Sequence, residues 1–227
     1  MLSYQIIILA AGQGKRMKSD KNKQFLMLKG KPLIIHTLDI FYQDPYCQSI
    51  QLVVNPKEEA DIQTLLKEYG YQERIAVVHG GAERQDSVFA GLAACTAEEG
   101  IILIHDGARP FVSLENVATL VNKAYEKGAA LLAVPVTDTI KRVTESGVTT
   151  LDRKELWAAQ TPQAFRYSVI LHAHKQAKEE GYLGTDDASL VERLNQPVEI
   201  VQGSYDNMKL TTPEDVEKAH AILSKYD

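Results

Sequence analysis

Residues 6–17 read Ile6-Ile7-Ile8-Leu9-Ala10-Ala11-Gly12-Gln13-Gly14-Lys15-Arg16-Met17, an apolar run that passes directly into a glycine-containing loop. The run predicts a buried strand, and ligands of open α/β sheets bind at the carboxyl ends of the strands. Glycine allows such a loop to turn tightly, so that backbone N–H groups converge on an anion. Cations cluster in and after the loop, namely Lys15, Arg16, Lys18, Lys21 and Lys23. The pattern therefore predicts a polyphosphate site at the end of the first strand.

The loop matches neither of two common phosphate-binding motifs. A dinucleotide-binding G-x-G-x-x-G motif requires a glycine where this chain has Met17, and the P-loop motif G-x-x-x-x-G-K-[ST] does not occur. The alternative interpretation of the pattern alone is that Gly12 and Gly14 only form a turn and that the lysines are a solvated surface.

Length, composition and charge narrow the class of protein. A chain of 227 residues with 44% hydrophobic and 24% charged residues can bury one large α/β core, so we predict a single domain over residues 1–227. The net charge of −5 argues against a protein that coats nucleic acid, while the local clustering of cations still permits a nucleotide substrate. The sequence carries no signal-peptide pattern and no apolar run of about 20 residues, so we expect a cytoplasmic protein without a membrane partner.

Strand-like and helix-like segments alternate over the first two thirds of the chain. The predicted strands cover residues 4–10, 49–54, 75–79, 101–105 and 129–136. The predicted helices cover residues 32–43, with Pro32 in the first turn, 56–69, 84–95 and 114–126. This order predicts an α/β fold with a doubly wound, mostly parallel sheet, which is a Rossmann-like architecture. The fourth strand is apolar throughout, as is typical of a central parallel strand.

The alternation ends after Pro135, where the sequence predicts a β-hairpin. Residues 139–144 and 147–151 have the character of short strands around Glu145-Ser146-Gly147. We expect this hairpin to project as an arm at about residues 138–155. An isolated hairpin is marginal in water, and closed twofold pairing is the commonest way for a protein to cover such an element. The arm therefore predicts a homodimer.

The last third of the chain returns to regular elements. We predict a helix over residues 167–179 and short strands over 198–201 and 207–210. Thr185 is predicted to cap a further helix, with Asp186 and Asp187 in its first turn, and Thr212-Pro213 begins the last helix.

Two further segments could carry chemistry at the same edge of the sheet. Asp106 directly follows the central strand, where a carboxylate suits Mg²⁺ or a substrate hydroxyl, and the nearby Arg109 suits phosphate. The segment from Gly80 to Ser87 could offer backbone groups and the serine hydroxyl to a nucleobase. The alternatives are an aspartate in a turn and a glycine turn that only caps a helix.

Other kinds of catalytic site find no support in the sequence. His172 and His174 are two residues apart on a predicted helix and therefore face different directions. Neither H-E-x-x-H nor G-x-S-x-G occurs, and Cys47 and Cys95 form no metal-ligand or disulfide pattern. We therefore expect neither a tightly held zinc ion nor a nucleophilic serine.

The motifs together resemble those of a known family. Ala10-Ala11-Gly12-x-Gly14-x-Arg16-Met17 with Lys23-Gln24 resembles the signature of the sugar and polyol phosphate nucleotidyltransferases. Further motifs, in the same order along essentially the whole chain, resemble the 2-C-methyl-D-erythritol 4-phosphate cytidylyltransferases: Gly80-Gly81 with Arg84 and Ser87, His105-Asp106-Gly107-Ala108-Arg109-Pro110, Asp138-Thr139-Ile140-Lys141-Arg142, Gln160-Thr161-Pro162-Gln163 and Asn207-Met208-Lys209-Leu210-Thr211. The resemblance implies transfer of CMP from CTP to the polyol phosphate, with release of pyrophosphate, in non-mevalonate isoprenoid biosynthesis.

The resemblance also implies roles for individual residues. The catalytic residues would be Arg16, Lys23, Arg153 and Lys209. The nucleotide would be bound by Ala10, Ala11, Gly12, Gly14, Lys15, Gly81, Ala82, Ser87 and Asp106. The polyol phosphate would be bound by Asp106, Arg109, Thr139, Arg153, Thr185 and Lys209. Mg²⁺ would be held mainly by the CTP phosphates, and Asp106 would hold a substrate hydroxyl or lie in the outer shell of the metal.

Two alternatives remain at this stage. Ribitol-5-phosphate cytidylyltransferases share the glycine loop, the strand-end aspartate and the T-P-Q segment, although Lys141-Arg142, Arg153 and Thr185-Asp186-Asp187-Ala188-Ser189 resemble the methylerythritol family more closely. A nucleotide-binding regulator without activity could also have kept the fold. One departure from the family pattern is Ala82, where some relatives carry an acidic residue.

Overall fold

A seven-stranded sheet with helices on both faces forms the centre of the fold. The computed structural model describes residues 2–12, 22–71, 73–96 and 99–225. The strands are β1 (Tyr4–Leu9), β2 (Met27–Leu28), β3 (Lys31–Pro32), β4 (Cys47–Val54), β5 (Ile75–His79), β6 (Ile101–Asp106), β7 (Ala129–Pro135), β8 (Lys141–Thr144), β9 (Gly147–Thr150), β10 (Trp157–Arg166) and β11 (Glu199–Gln202). The helices are α1 (Leu33–Tyr42), α2 (Glu59–Glu68), α3 (Arg84–Ala93), α4 (Leu114–Lys127), α5 (Tyr167–Glu179), α6 (Asp187–Arg193) and α7 (Pro213–Leu223).

The strand order in the large sheet is β11-β7-β10-β6-β1-β4-β5. Neighbouring strands are parallel except at β10, which is antiparallel to both β6 and β7. The predicted α/β fold with a mostly parallel, doubly wound sheet is thereby confirmed. The predicted hairpin is also confirmed, because β8 and β9 form a separate antiparallel pair whose residues are all exposed.

The central strands are buried on both faces of the sheet, which explains their continuous apolar sequences. Ile6 of β1 and Leu103 of β6 face the side that is covered by α1, α2 and α4. Ile7 and Ile102 face the opposite side, which is covered by α3, α5 and α6. β1 and β6 are adjacent and parallel, and Leu9 pairs with Asp106. The loop after β1 therefore starts next to the aspartate that the sequence predicts for the site.

Strand β10 is the main element that the sequence did not predict. It carries Pro162 and a run of polar residues, and a proline argues against a central strand because it cannot donate to the ladder. The structure accommodates the proline where the pairing with β7 shifts register, between Ala159 and Gln163. Beyond this shift, Gln163 pairs with Ile104 of β6, and the strand fills the gap between β6 and β7.

Several local predictions need correction. Residues 207–210 were predicted as a strand but form a loop, in which the Leu210 N–H donates to the Ala108 carbonyl at 2.9 Å. Helix α6 is capped by Asp186 and not by Thr185, because the Asp186 carboxylate accepts from the Ser189 N–H at 2.9 Å and an aspartate is the stronger cap. Pro32 is the N-cap of α1 and does not lie in its first turn, and a short 3₁₀ helix, Pro56–Glu58, precedes α2.

Gly91 marks the closest approach of α3 to the sheet. A Cβ at this position would lie 2.6 Å from Cγ2 of Ile7 in β1, which is fully buried. The contact leaves no space for any side chain without movement of the helix or of the central strand.

We predict that Gly91→Ala lowers the free energy of unfolding by about 1–3 kcal/mol, because overpacking against Ile7 outweighs the better helix propensity of alanine. The measurement is urea unfolding of the variant and the wild type. The matched control is Ala93→Ser on the exposed end of the same helix, with an expected change of about 0.5 kcal/mol or less. A Gly91→Ala variant as stable as the wild type would contradict this packing argument.

Candidate active site

A cleft of about 220 Å³ opens at the carboxyl edge of the sheet, between the loop after β1 and the turn before α3. The end of β6 forms its floor, and the loop of residues 207–210 closes one side. The residues that line it are Leu9, Ala11, Gly12, Lys23, Gln24, Gly81, Ala82, Glu83, Arg84, Ser87, Asp106, Ala108 and Lys209. Residues from five separate stretches of the sequence (9–12, 23–24, 81–87, 106–108 and 209) therefore meet at one place.

The structure brings many of the predicted site residues together in this cleft. Those that line it are Ala11, Gly12, Lys23, Gly81, Ala82, Ser87, Asp106 and Lys209. Gly14, Lys15 and Arg16 lie outside the described residues. Ala10 is buried behind the wall of the cleft, where its N–H donates to the Val53 carbonyl at 2.7 Å and its own carbonyl accepts from the Gln24 side chain.

Asp106 is the electrostatic centre of the cleft. Its carboxylate lies 2.8 Å from Lys209 Nζ, 3.5 Å from Arg109 Nε and 3.9 Å from Arg84 Nε. Burial opposes ionisation of this carboxyl, but Lys209 and Arg84 outweigh that effect and hold the pKa of Asp106 well below its ordinary value. Among the described residues at or directly behind the cleft, the cations Lys23, Arg84, Arg109 and Lys209 outnumber the carboxylates Glu83, Asp106 and Asp187 by one. The remaining positive charge suits an anionic ligand.

Arg84 is held from behind by a buried carboxylate. Arg84 Nη1 lies 2.7 Å from Asp187 Oδ2, and His174 Nε2 contacts Asp187 Oδ1 at 3.1 Å. Burial raises the pKa of Asp187, whereas Arg84 and His174 lower it, and the net direction is downward. Sequence reasoning placed Arg84 in a motif without giving it a role and treated Asp187 only as a helix-start charge. The sequence could not reveal this pair, because α3 and α6 both pack against α5 and only that tertiary packing brings Arg84 to Asp187.

The turn before α3 is built around Ser87. The Gly81 N–H donates to Ser87 Oγ at 3.1 Å, and the Ser87 hydroxyl donates to the Glu83 carbonyl at 3.1 Å. A Cβ on Gly81 would collide with Asp86, so the turn requires glycine there. The segment is therefore a glycine turn with a capped helix, as in the simpler of the two interpretations, and it also lines the cleft.

Three predicted substrate-binding residues lie away from the cleft of their own chain. Thr139 and Arg153 are at the base of the arm, where Arg153 Nη1 donates to the Thr137 carbonyl at 2.6 Å. Thr185 precedes the cap of α6, and all three residues are exposed. Arg109 contacts Asp106 without lining the cleft itself.

The part of the chain that the structure describes contains neither a metal-ligand cluster nor a membrane-spanning helix. Across residues 2–12, 22–71, 73–96 and 99–225, no group of three or more His, Cys, Asp or Glu side chains could hold a metal ion. Within the same ranges, no helix is long and apolar enough to span a bilayer.

Comparison with known proteins identifies the family. The family model described as 2-C-methyl-D-erythritol 4-phosphate cytidylyltransferase matches residues 4–225. The chain belongs to this family. The resemblance seen in the sequence motifs is confirmed, and the match favours the methylerythritol enzymes over the ribitol-5-phosphate enzymes.

Individual relatives agree with this assignment over nearly their whole length. The chain is 55% identical to a 2-C-methyl-D-erythritol 4-phosphate cytidylyltransferase of Geobacillus kaustophilus, with 98% of each sequence covered. It is 54% identical to that of Bacillus licheniformis over 98% of this chain and 96% of the relative. Its structure is similar to the crystal structure of 4-diphosphocytidyl-2C-methyl-D-erythritol synthase from Anaerococcus prevotii, with a TM-score of 0.87, 31% identity, and 98% and 96% of the two chains covered.

In this cytidylyltransferase-family chain, a neutral histidine supports the strand end that carries Asp106. His105 is fully buried, and burial lowers its pKa to about 4. The Arg109 carbonyl, 3.0 Å from Nε2, can only accept, so Nε2 carries the proton. The Thr161 hydroxyl then donates to Nδ1 at 3.0 Å and accepts from the Asp106 N–H at 3.0 Å. This chain of hydrogen bonds fixes the backbone on both sides of Asp106.

We predict that lowering the pH from about 6.5 to about 4 destabilises the fold through His105. In that window the histidine binds a proton in the unfolded chain but not in the folded chain. The free energy of unfolding therefore decreases by about 3 kcal/mol, from this group alone, as the pH is lowered. Carboxyl groups whose pKa is lowered in the folded chain, such as Asp106, change the free energy of unfolding in a separate window, below about pH 4.

The measurement is urea unfolding at several pH values for the wild type and for His105→Gln, which removes the titrating group. We expect the variant to show a smaller slope above pH 4, whereas the exposed control His172→Gln keeps the wild-type slope. Equal slopes in all three proteins would refute the role of His105.

Proposed function

We propose that this cleft is where the chain transfers CMP from CTP to 2-C-methyl-D-erythritol 4-phosphate and releases pyrophosphate. The observation that carries the proposal is the cluster of Arg84, Arg109 and Lys209 around Asp106, together with Lys23, which lines the same cleft. Family membership supplies the reaction, and this cluster indicates where the anionic substrates bind.

The chemistry requires neutralisation of charge and no protein base. An oxygen of the polyol phosphate attacks the α-phosphorus of CTP, the new P–O bond forms, and the bond to pyrophosphate breaks. A phosphate monoester has a second pKa near ~6 and is largely a dianion at neutral pH, so it needs no deprotonation. The barrier lies in the approach of two anions, which fixed cations lower. We assign this task to Lys23, together with Lys15 and Arg16 of the preceding loop.

The nucleotide end of the cleft is proposed to read cytosine mainly through backbone groups. Ala11 and Gly12 line one side, and Gly81 and Ala82 line the other. Ala82 has no polar side-chain atom, so in this proposal position 82 contacts cytosine only through its backbone. Ser87 supports the turn from within.

Mg²⁺ is proposed to enter as part of the CTP substrate. The Asp106 carboxylate already contacts Lys209 at 2.8 Å, so it does not fit the role of a direct magnesium ligand. Mg²⁺ is commonly held by substrate phosphates and water with few protein ligands. In our proposal Lys209, oriented by Asp106, binds the polyol phosphate at the other end of the cleft. Asp106 accepts a hydrogen bond from a hydroxyl of the polyol, and Arg109 supports Asp106 through its contact with that carboxylate.

We predict selectivity for CTP. Cytosine has a hydrogen-bond donor at ring position 4 where uracil has an acceptor, so backbone groups that pair with cytosine would leave the uracil oxygen unpaired. The kcat/KM for CTP should exceed that for UTP or ATP by about a hundredfold or more. The measurement is pyrophosphate release with each nucleotide, Mg²⁺, and either methylerythritol phosphate or ribitol 5-phosphate.

The same assay compares a variant of a lysine in the cleft with a control variant of an exposed lysine. Lys57→Ala should leave activity unchanged, whereas Lys23→Ala should lower kcat by about a hundredfold, since one fixed cation at a developing charge contributes on that order. Comparable turnover of UTP, or preference for ribitol 5-phosphate, would overturn the proposed function.

The arm is proposed to pair two copies of this single-domain chain, which we place in the cytoplasm with its water-soluble substrates. Val143 and Val148 oppose each other across the hairpin and are 73% and 65% exposed, and Trp157 at the base of the arm is 39% exposed. Apolar side chains exposed on a hairpin indicate a surface that a partner covers. A second copy is the occupant that would also place Arg153 and Thr139 at a cleft, because neither lines its own.

We predict that active sites are completed across the dimer. Arg153→Ala and Lys23→Ala should each be nearly inactive, whereas a mixture with exchanged subunits should recover about a quarter of wild-type activity, because half of the dimers are mixed and each mixed dimer has one intact site. The matched control is a mixture of Lys23→Ala with Lys209→Ala, both in the cleft, which should stay inactive. A monomer in sedimentation, or no recovery after proven exchange, would remove the basis for shared sites.

A further inference from the structure

A buried polar layer lies beneath the cleft, where the loop of residues 203–210 meets β10. Asn207 is at its centre and is fully buried. Its Nδ2 donates to Gln160 Oε1 at 3.2 Å and to the Thr161 carbonyl at 2.9 Å. Asn207 does not line the cleft, and no step of the proposed reaction uses it. Its side chain therefore acts on the loop and not on a substrate.

The backbone of Asn207 is held as firmly as its side chain. Its carbonyl accepts from Arg109 Nη1 at 2.7 Å, and its N–H donates to the Ser204 carbonyl at 3.0 Å. Three residues further on, the Leu210 N–H donates to the Ala108 carbonyl at 2.9 Å. Lys209 lies between these two attachments, so its Cα is fixed on both sides.

Gln160 anchors the same loop from β10. Its Nε2 donates to the Ser204 carbonyl at 2.8 Å while its Oε1 accepts from Asn207. Gly203 makes room for this side chain, because a Cβ on residue 203 would collide with Gln160 Oε1. The loop thus has two hydrogen-bonded attachments to β10 and a glycine that permits them.

We propose that Asn207 is a positioning residue for Lys209. By fastening the loop to Gln160 and Thr161, it places Lys209 Nζ 2.8 Å from Asp106, at the end of the cleft assigned above to the polyol phosphate. On binding substrate, a lysine on a flexible loop would lose the conformational entropy of its side chain and also that of the loop backbone. When the backbone is already fixed, only the side-chain entropy is lost. The inference rests on the proposed function of Lys209.

The test is a double-mutant cycle with Asn207→Ala, Lys209→Met and the combined variant. We expect Asn207→Ala to lower kcat/KM for the polyol phosphate by about ten- to a hundredfold, while binding of CTP alone, measured by calorimetry, changes by less than about threefold. In the Lys209→Met background the additional loss from Asn207→Ala should shrink to within about threefold, because its effect is exerted through Lys209.

A second pair of variants covers the case in which Asn207→Ala does not fold. Gly203→Ala displaces Gln160 without removing any hydrogen-bonding group, and should show the same selective loss with the polyol phosphate. Gln202→Ala, at the exposed end of β11, is the matched control and should behave as the wild type.

The outcomes separate the inference from the function on which it rests. If Lys209→Met is impaired but Asn207→Ala and Gly203→Ala are not, or if the losses multiply in full, the positioning role fails and the proposed function stands. A lower melting temperature with unchanged kcat/KM also overturns the positioning role. If Lys209→Met itself turns over at the wild-type rate, the assignment of Lys209 fails and the inference fails with it.

Discussion

The ionised carboxylate of Asp106 is the constraint around which the cleft is built. A buried carboxylate is costly unless it is paired and hydrogen-bonded. Its partners come from three separate segments: Arg84 from the start of α3, Arg109 from the turn after β6, and Lys209 from the loop of residues 207–210. Each of these segments must therefore approach the end of β6 for the carboxylate to stay charged, which ties the geometry of the cleft to a single electrostatic requirement.

The same arrangement supports the proposal that the cleft binds two anionic substrates. The cations at the cleft outnumber the carboxylates by one, and Arg84 is shared with Asp187, which His174 supports from the far side. Positive charge that is already fixed in place needs no reorganisation when negative charge develops at phosphorus.

Strand β10 connects the arm with this electrostatic centre. It leaves the arm at Trp157, and its Thr161 hydroxyl accepts from the Asp106 N–H. Gln163 then donates to Asp186 at 2.7 Å and accepts from the Ala188 N–H at 2.9 Å, so it fixes the start of α6, which carries Asp187. One antiparallel strand thus orders the surroundings of both Asp106 and Arg84.

The sequence by itself determined the parallel part of the sheet, the hairpin, the glycine turn before α3 and the family. Those features follow from short-range patterns, because the apolar run of β6 indicates burial on both faces and the carboxyl end of such a strand is where Asp106 must lie. Only the tertiary structure decided the pairing of Arg84 with Asp187, the attachment of Asn207 to Gln160 and the place of β10. The physical reason is that local periodicity reports which face of an element is buried, whereas the partner of a buried polar group depends on which distant segment packs against it.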